Sequence, residues 1–455
     1  MQTLFVQQQQ QQYSEDEYYK NLTQKYQVQL SYEADLANCP EIEPYRMNLL
    51  AVSHINKCLF VGSGYSIKCY KIAENGSIDF KQNYELLQVQ NQGQNMINQL
   101  KLAYFKNREI LVTVDMVGKI TVFNVNNLKQ QPLSLDNRFE NIQDCSTWSL
   151  DALLLEGCAL LACGSNAHKI SVWDLTHIYN LQDYQLGLAD KPERKVIEGI
   201  HHNVPCIKFS PCGTFLAAVS IDQTVRIYRV SDCEQIAQSE FKDWGWSVNW
   251  ALKQNVINYN ISIQDIQYTN VINSTVSSHN QTLNKLQKYL LICSTTHDFH
   301  LIDPVPLLED ELKNNQQQTR AILMQQVHSI NFGLKKNHKY GSIARYSLVH
   351  FDQEFNLAVA TPQHTPLVDC FELIFDISTK QFKMQRTNIH LRDQITGYII
   401  GSSLLSKPSS SPFCKTASLF ILNKLKKIHL FQIQKLIQSN SKELNEVADY
   451  SEICI

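Results

Sequence analysis

The sequence predicts an all-β protein, a single β-propeller of seven four-stranded blades, and three observations support this fold class. One segment, residues 202–229, contains short apolar runs separated by turns at regular places. Segments with the same order of runs and turns precede and follow it along the chain. The length of 455 residues accommodates seven blades of about 40–45 residues together with terminal and inserted segments.

The clearest segment reads HNVPCIKFSPCGTFLAAVSIDQTVRIYR. In Ser210-Pro211-Cys212-Gly213, proline presets φ and glycine supplies a positive φ, as a tight turn requires. Phe215–Val219 is an apolar run, and Thr224–Tyr228 is a β-branched, alternating run that follows a second turn. This order of strands and turns resembles one blade of a WD-repeat β-propeller. One blade implies a ring, because a single repeat cannot bury its own apolar faces.

Six further segments resemble the same repeat. Upstream, residues 146–175 end in Trp173-Asp174, the dipeptide that is typical of these repeats. Residues 97–125 and 46–72 show the same order of runs and turns. Downstream the pattern predicts one blade split by an insertion and two more blades, in residues 244–250 with 289–303, 344–376 and 396–432.

The predicted propeller occupies residues 25–433 and is preceded by a low-complexity arm. Residues 1–24 contain a glutamine run and the acidic, tyrosine-rich SEDEYYK, a composition that predicts a disordered segment. Tyr26–Leu30 (YQVQL) alternates, and we expect it to close the ring by pairing with the last blade. Closure of this kind protects the strand edges of a propeller.

Three other segments are predicted to lie outside the blades. Residues 252–286 are rich in Asn, Gln and Ser, and we expect a surface excursion inside the fifth blade. Residues 306–329 have a helix-forming composition, which predicts an external helix. Residues 434–455 form a C-terminal tail that is predicted to be helical.

Composition restricts the possible partners and the compartment. The net charge of −2 provides no generic attraction for nucleic acid or anionic membranes. No apolar run reaches the length of a membrane span, and residues 1–30 lack the apolar core of a signal peptide. The thirteen cysteines are scattered without CxxC spacing, which favours a reducing compartment. We therefore expect a cytoplasmic or nuclear protein whose partners are other proteins, with no direct contact to nucleic acid or membrane.

Four residues are predicted to stabilise individual blades. Asp222 and Asp115 occupy turns where a carboxylate can accept hydrogen bonds from turn amides. For Asp222 we expect a histidine of the preceding loop, His201 or His202, as a further partner. Trp173 and Asp174 are assigned to blade architecture in the same way. A catalytic role for the aspartates is the alternative interpretation.

The sequence provides no support for catalysis, a cofactor or a metal. His297 and His300 are three residues apart in HDFH, a spacing that could serve a metal on a helix. Here they fall in a strand and turn, with no third ligand in a recognisable series. No Gly-x-Ser-x-Gly elbow accompanies His201-His202, and no phosphate-binding glycine loop is present. We therefore expect a protein that is not an enzyme.

Aromatic residues at the starts of two blades are the candidate protein-binding site. Trp148 and the pair Trp244 and Trp246 lie where a loop becomes the first strand of a blade, and Trp250 is predicted to be core. Exposed tryptophans are favoured anchors in protein interfaces. The alternative is that Trp244 and Trp246 only fill the space between blades. His201 and His202, in the intervening loop, complete the candidate set.

A narrower resemblance covers blades three to five. The segments TWSLD, SNAHKISVW, HNVPCIKF and WGWSV occur in the same order as in the fungal family of regulators of ribonucleotide reductase transcription. Those proteins resemble substrate receptors of a cullin ubiquitin ligase, which hold a propeller adaptor on one side and a target on the other. Such receptors often carry an arginine two residues after Trp-Asp, whereas here Leu175 and Thr176 follow the pair.

Three functions are compatible with these observations. The first is a non-catalytic interaction scaffold, either a regulatory subunit or a ubiquitin-ligase substrate receptor. The second is a fixed structural subunit of a large assembly, in which neighbours would order the glutamine-rich arm and the 252–286 insertion. The third is an enzyme built on a propeller, which would need a metal or nucleophile that the motifs do not reveal.

Overall fold

The protein is described from a computed structural model. It describes the following residues: 26–36, 39, 46–53, 55–73, 77–87, 96–180, 192–260, 281–305, 322–331, 345–363, 366–376, 378–379, 381–387, 389, 391, 395, 399–407 and 414–436. The predicted arm at residues 1–24 and all of the predicted tail beyond residue 436 lie outside these ranges.

Seven sheets form a closed ring, which confirms the predicted seven-bladed β-propeller. Within each sheet, four strands pair antiparallel with their neighbours. The first strands of successive blades contact one another in a cycle that returns from the seventh blade to the first. These seven strands therefore surround the central channel.

The first four blades follow one another along the chain. Their strands, in order from the channel outward, have these bounds: in blade 1, β2 (Leu50–Ser53), β3 (Cys58–Ser63), β4 (Ser66–Ile72) and β5 (Ile78–Leu87); in blade 2, β6 (Ile97–Phe105), β7 (Arg108–Asp115), β8 (Lys119–Asn124) and β9 (Leu133–Asp136); in blade 3, β10 (Thr147–Leu155), β11 (Cys158–Ser165), β12 (Ile170–Asp174) and β13 (Arg194–Ile197); in blade 4, β14 (Cys206–Phe209), β15 (Phe215–Ser220), β16 (Thr224–Arg229) and β17 (Gln235–Glu240).

The remaining three blades contain an insertion and the ring closure. Their strands are, in blade 5, β18 (Gly245–Leu252), β19 (Tyr289–Thr295), β20 (Asp298–Asp303) and β22 (Gln325–Asn331); in blade 6, β23 (Arg345–Asp352), β24 (Leu357–Gln363), β25 (Asp369–Asp376) and β26 (Gln381–Arg386); in blade 7, β27 (Ile399–Lys407), β28 (Cys414–Asn423), β29 (Lys427–Leu436) and β1 (Tyr26–Asp35).

Turn chemistry determines the strand boundaries of blade 4. Gly213 has φ +71° and donates its amide to the Ser210 carbonyl at 2.8 Å, which forms the predicted tight turn between β14 and β15. The Ser210 hydroxyl accepts from the Phe215 amide at 3.0 Å, so the turn also starts the second strand. The run that follows is buried throughout, as expected for a strand packed between two blades.

The ring closes where the alternation of Tyr26–Leu30 predicted it. The closing strand β1 pairs antiparallel with β29 from Tyr26↔Lys435 to Asp35↔Lys427 and is longer than predicted. At the end of this pair where Tyr26 faces Lys435, the Glu372 carboxylate of blade 6 accepts hydrogen bonds from the Tyr26 hydroxyl and the Lys435 ammonium. The Lys435 ammonium nitrogen lies 4.9 Å from the centroid of the Tyr26 ring. These buried contacts attach the closing strand to the neighbouring blade.

The insertion in blade 5 lies between its first two strands. Its described ends are helical, Lys253–Asn260 and Gln281–Leu286. The prediction of a helix over 306–329 is wrong for its described part, because Ile322–Leu323 (β21) and the segment that begins at Gln325 are strands. Likewise, the predicted tail begins in a strand, since β29 continues to Leu436.

Apolar clusters fill the spaces between neighbouring blades. Each cluster combines second-strand and third-strand residues of adjacent blades, so the core is distributed around the ring. Trp173 is 2% exposed in the cluster between blades 2 and 3. The blades are therefore stabilised mainly by their neighbours.

Candidate protein-interaction surface

One end of the ring brings most of the predicted site residues together. First strands begin at this end, and because strands alternate in direction, the turns between second and third strands lie there too. We call this end the upper face; it includes residues 198–205 and 241–244 before first strands and the turns at 116–118 and 221–223. Trp148, His201, His202, Trp244, Asp115 and Asp222 all belong to it.

Trp244 and Trp246 differ sharply in exposure. Trp244 is 50% exposed, whereas Trp246 is 7% exposed. The pairing register shifts between Gly245 and Ser247, which places Trp246 at an irregularity of the strand. The two rings meet edge to face with centroids 6.4 Å apart. Trp246 thus fills the space below an accessible Trp244. Only Trp244 of this pair offers a largely exposed ring for contact with a partner.

Arg345 supports the tryptophan pair from the next blade. Its guanidinium carbon lies 4.4 Å from the centroid of Trp246, and burial lowers the pKa of Arg345 to about 10. The Trp246 indole N–H donates to the Thr296 hydroxyl at 3.2 Å. Sequence reasoning missed Arg345, because the stacking depends on a blade that lies 100 residues away along the chain.

Trp148 is half-buried near the start of β10 and lies apart from the tryptophan pair in the ring. The register of blade 3 shifts between Thr147 and Ser149, which is again an irregularity at a tryptophan. Its indole nitrogen is buried without a hydrogen-bond partner among the described residues. Trp148 therefore occupies a position equivalent to that of Trp246, two blades before it.

The histidine pair lies at the surface, and its contact with Asp222 differs from the prediction. The His201 backbone amide, not an imidazole, donates to Asp222 at 3.2 Å. The other partners of this carboxylate are the Thr224 hydroxyl at 2.5 Å and the Arg226 guanidinium at 2.9 Å. His202 instead accepts from the Asn203 amide at 2.8 Å and stacks on His168. These three contacts agree with the predicted role of Asp222 in stabilising its blade.

Asp115 is the corresponding carboxylate of blade 2, and it is fully buried. It accepts from the amides of Val117 and Lys119 at 3.0 and 2.8 Å, while its Oδ2 has no hydrogen-bond partner within the described ranges. Burial raises the pKa of Asp115 from its ordinary value of 3.8 to about 6. The protonated form is therefore favoured by folding.

The raised pKa of Asp115 predicts a specific dependence of stability on pH. The contribution of this group is fully present below the unfolded pKa of 3.8 and is lost as the pH rises through about 6. Asp115→Asn keeps the Oδ1 acceptor and cannot ionise, so the variant should gain stability over the wild type at about pH 7.5 but not at about pH 4. Urea unfolding at both pH values measures this difference; an equal difference at both would contradict the assignment.

Trp173 and Asp174 lie away from the upper face, at the other end of their strand. Trp173 is core, and the Asp174 carboxylate accepts from the Thr176 amide at 2.8 Å. This contact starts the short helix Thr176–Asn180. Neither residue contributes to the candidate surface, and their contacts agree with the predicted role in blade architecture.

The upper face also exposes apolar side chains that the sequence did not single out. Among the exposed large apolar residues that the structure describes, Tyr65, Met116, Val117 and Leu425 occupy turns between second and third strands. They belong to the consecutive blades 7, 1 and 2. Ile55 and Tyr104 are exposed at the opposite end. Exposed apolar side chains in the described part of the ring are therefore concentrated on the upper face.

Neither histidine of the HDFH segment contributes to a metal site in the described ranges. The His297 ring lies 3.9 Å from the Asp243 carboxylate, and His300 packs 5.1 Å from the Phe241 ring. No group of three or more His, Cys, Asp or Glu residues within the described chain is arranged to hold a metal ion. In the same residues, no helix is long and apolar enough to cross a membrane.

Comparisons with known proteins identify the repeat. Residues 194–229 match the family WD domain, G-beta repeat. The match begins at the outer strand of blade 3 and ends with the third strand of blade 4, so the sequence repeat is offset by one strand from the structural blade. The chain is thus a β-propeller that contains a WD40 repeat.

Two curated relatives and one solved structure are similar to this chain. A WD40 repeat-containing protein of Dictyostelium discoideum is 30% identical over 47% of the chain, and an uncharacterized WD repeat-containing protein of Schizosaccharomyces pombe is 28% identical over 37%. The matches span only 28% and 33% of those relatives' lengths. A chain in the crystal structure of the mitotic checkpoint complex shares the fold, with a TM-score of 0.53, 10% identity, and coverage of 92% and 94% of the two chains.

Proposed function

We propose that the protein is a non-catalytic protein-interaction scaffold that docks a partner on the upper face, with Trp244 as an anchor. The observation that carries this proposal is the half-exposed Trp244 ring above the buried Trp246. WD40 propellers typically bind other proteins, and the solved relative comes from a multi-protein complex.

The surroundings of Trp244 support a preorganised contact. Trp246 is held by the Arg345 guanidinium on its face and by Thr296 at its indole nitrogen. A ring that rests on such a support loses little conformational freedom on binding, and tryptophan anchors surrounded by packed neighbours are common in interfaces. The accessible member of the pair is therefore the one whose removal should matter for binding.

We also propose a regulatory role in the cytoplasm or nucleus. The resemblance of blades three to five to regulators of ribonucleotide reductase transcription supports the regulatory role. Eleven cysteines in the described part of the chain form no disulfide, which supports a reducing compartment. The absence of an arginine after Trp173-Asp174 favours a regulatory subunit over a ubiquitin-ligase receptor.

The test compares Trp244→Ala with the wild type in affinity purification followed by mass spectrometry. We expect a specific set of partners to be lost, with affinity for the purified partner reduced about 30-fold or more, because a true anchor contributes about 2 kcal/mol or more. Tyr104→Ala is the matched control, since Tyr104 is 64% exposed at the opposite end of the ring.

Retention of every partner by Trp244→Ala, with unchanged affinity, would overturn the assignment of the upper face. Loss of partners with Tyr104→Ala alone would place the interface at the opposite end. Unfolding temperatures of both variants should stay close to that of the wild type, because neither exposed side chain belongs to an apolar core cluster.

A further inference from the structure

The first strands of the seven blades place one set of residues, six of them polar, around the channel. We call this set the polar ring. In six blades, we consider the second-strand residue three positions before the end of the strand and its partner on the first strand. In blade 6, where the register shifts after Arg345, the corresponding residue is four positions before the end of the strand. Strand pairing identifies these first-strand partners as Ala51, Lys101, Asp151, Lys208, Asn249, His350 and Ser403. Successive members of this set are roughly 40–60 positions apart in sequence, or about 100 between Asn249 and His350, but they occupy corresponding places on their first strands.

The charges of this ring are not balanced. Asp151 lies between two lysines, 3.0 Å from Lys101 and 3.5 Å from Lys208, and its second oxygen accepts from the Phe209 amide at 2.8 Å. Burial lowers the pKa of Lys101, the Asp151 carboxylate partly offsets this, and the Lys208 charge lowers it further. Two cations therefore share one carboxylate.

His350 adds no further charge to this ring, because it is neutral. Burial, followed by the charges of Lys208 and Lys101, lowers the pKa of His350 to about 3. Its Nε2 is 2.9 Å from the Ser402 hydroxyl. Among the seven residues of the ring, two lysines and one aspartate therefore leave a formal excess of one positive charge.

A cavity of about 560 Å³ opens beside this charge. Ala51 is the smallest residue of the ring, and the cavity lies against it and against Lys101, His350 and Ser403. The Lys101 side chain keeps 30% of its surface exposed and that of Lys208 keeps 23%. Lys101 therefore lines a cavity with the volume of a small-molecule site, whereas Lys208 lies outside the residues that line it.

The rest of the cavity wall defines the body of the ligand. Leu50, Leu102 and Leu404 supply apolar surface, and Tyr104 lies at the mouth. Glu109 and Glu354 also lie on the wall, three to four residues beyond the polar ring along their strands, which corresponds to about 10 Å. Glu109 accepts from the Ser53 hydroxyl and the Asn56 amide. Carboxylates at the mouth disfavour a ligand with several negative charges.

We propose that the central channel is a binding site for a small organic acid with one anionic head group and an apolar body. The head group would lie at Lys101, and the body would extend past Leu102 toward the mouth. The driving forces would be the attraction of the head group to the Lys101 ammonium and the burial of apolar surface. This site is independent of the upper face and of the proposed docking of a partner protein.

The test uses octanoate as the probe and octan-1-ol as the uncharged probe of equal length, measured by calorimetric titration of the full chain. We expect octanoate to bind and octan-1-ol to bind much more weakly. Lys101→Met should weaken octanoate binding by about tenfold or more, because the head group loses its nearest cation. Lys106→Met is the matched control, since Lys106 follows on the same strand end but is 65% exposed at the surface.

A second variant tests the cavity without changing any charge. Ala51→Leu, or Ser403→Leu if the first variant does not fold, should abolish octanoate binding by filling the space beside Lys101. Equal binding of octanoate and octan-1-ol by the wild type would overturn the proposal. Unchanged octanoate binding in folded Lys101→Met or in the filled variant would also overturn it, and the same loss in Lys106→Met would show that binding is nonspecific.

Discussion

Replacing Lys435 by methionine is expected to lower the free energy of unfolding by about 3–5 kcal/mol, because the change leaves the Glu372 carboxylate buried without its cation. Lys435 has no exposed side-chain surface, and its ammonium also donates to the Phe355 carbonyl at 3.2 Å. The residue lies at the junction of the closing strand, the last blade and blade 6, so its loss should weaken ring closure. Chemical denaturation with circular dichroism measures the effect.

Lys427→Met is the matched control for this prediction. Lys427 joins the same two strands through Glu33 at 2.8 Å, but both side chains are about one third exposed, so the loss should stay below about 1 kcal/mol. Combining Lys435→Met with Glu372→Gln should recover part of the stability, since a neutral amide oxygen can still accept from Tyr26. Similar losses in the two single variants would show that burial of the Lys435 pair is not what matters.

Trp173→Ala is the second large effect that we expect, with a loss of about 3–5 kcal/mol in the free energy of unfolding. The side chain is 2% exposed in the cluster between blades 2 and 3, and alanine would leave a cavity that two rigid sheets cannot close. Trp173→Phe should cost less because it fills more of the space. Urea unfolding monitored by circular dichroism provides the measurement.

The neighbouring Asp174 tests whether the loss is specific to packing. Asp174→Ala removes one exposed acceptor at the start of a short helix, so we expect a loss of about 1 kcal/mol. A loss as large as that of Trp173→Ala would mean that the dipeptide acts as a unit, contrary to the separate contacts that the two side chains make.

The fold was predictable where local chemistry determines local structure. The Ser210–Gly213 turn, the buried run after it and the alternating YQVQL segment each carry enough information in a few residues to specify a strand or a turn. The prediction of a helix was wrong for the segment that begins at Gln325, because local chemistry does not determine its structure. Its polar residues favour a helix by composition, and it is a strand only because the edge of Asp298–Asp303 is available for pairing.

The candidate site was predictable only in part. The position of Trp244 and Trp246 where a loop becomes a first strand predicted that the two residues act together. The register shift after Gly245 instead accompanies an exposed Trp244 ring and a buried Trp246 ring. Arg345 and the polar ring of the channel could not be found, since they depend on contacts between blades far apart in sequence. Of the two histidines named as possible partners of Asp222, His201 contacts the carboxylate, but the donor is its backbone amide.

The pairing of Tyr26 with Lys435 has a consequence for the time course of biosynthesis. About 400 residues separate the two strands, and at about 5–20 residues per second the ribosome needs roughly 20–80 s to make the second after the first. During that interval the closing strand lacks its partner β29, while the strands of blades 1 to 6 are made one blade after another. A nascent chain would therefore expose this strand without its partner until the segment around Lys435 has been made.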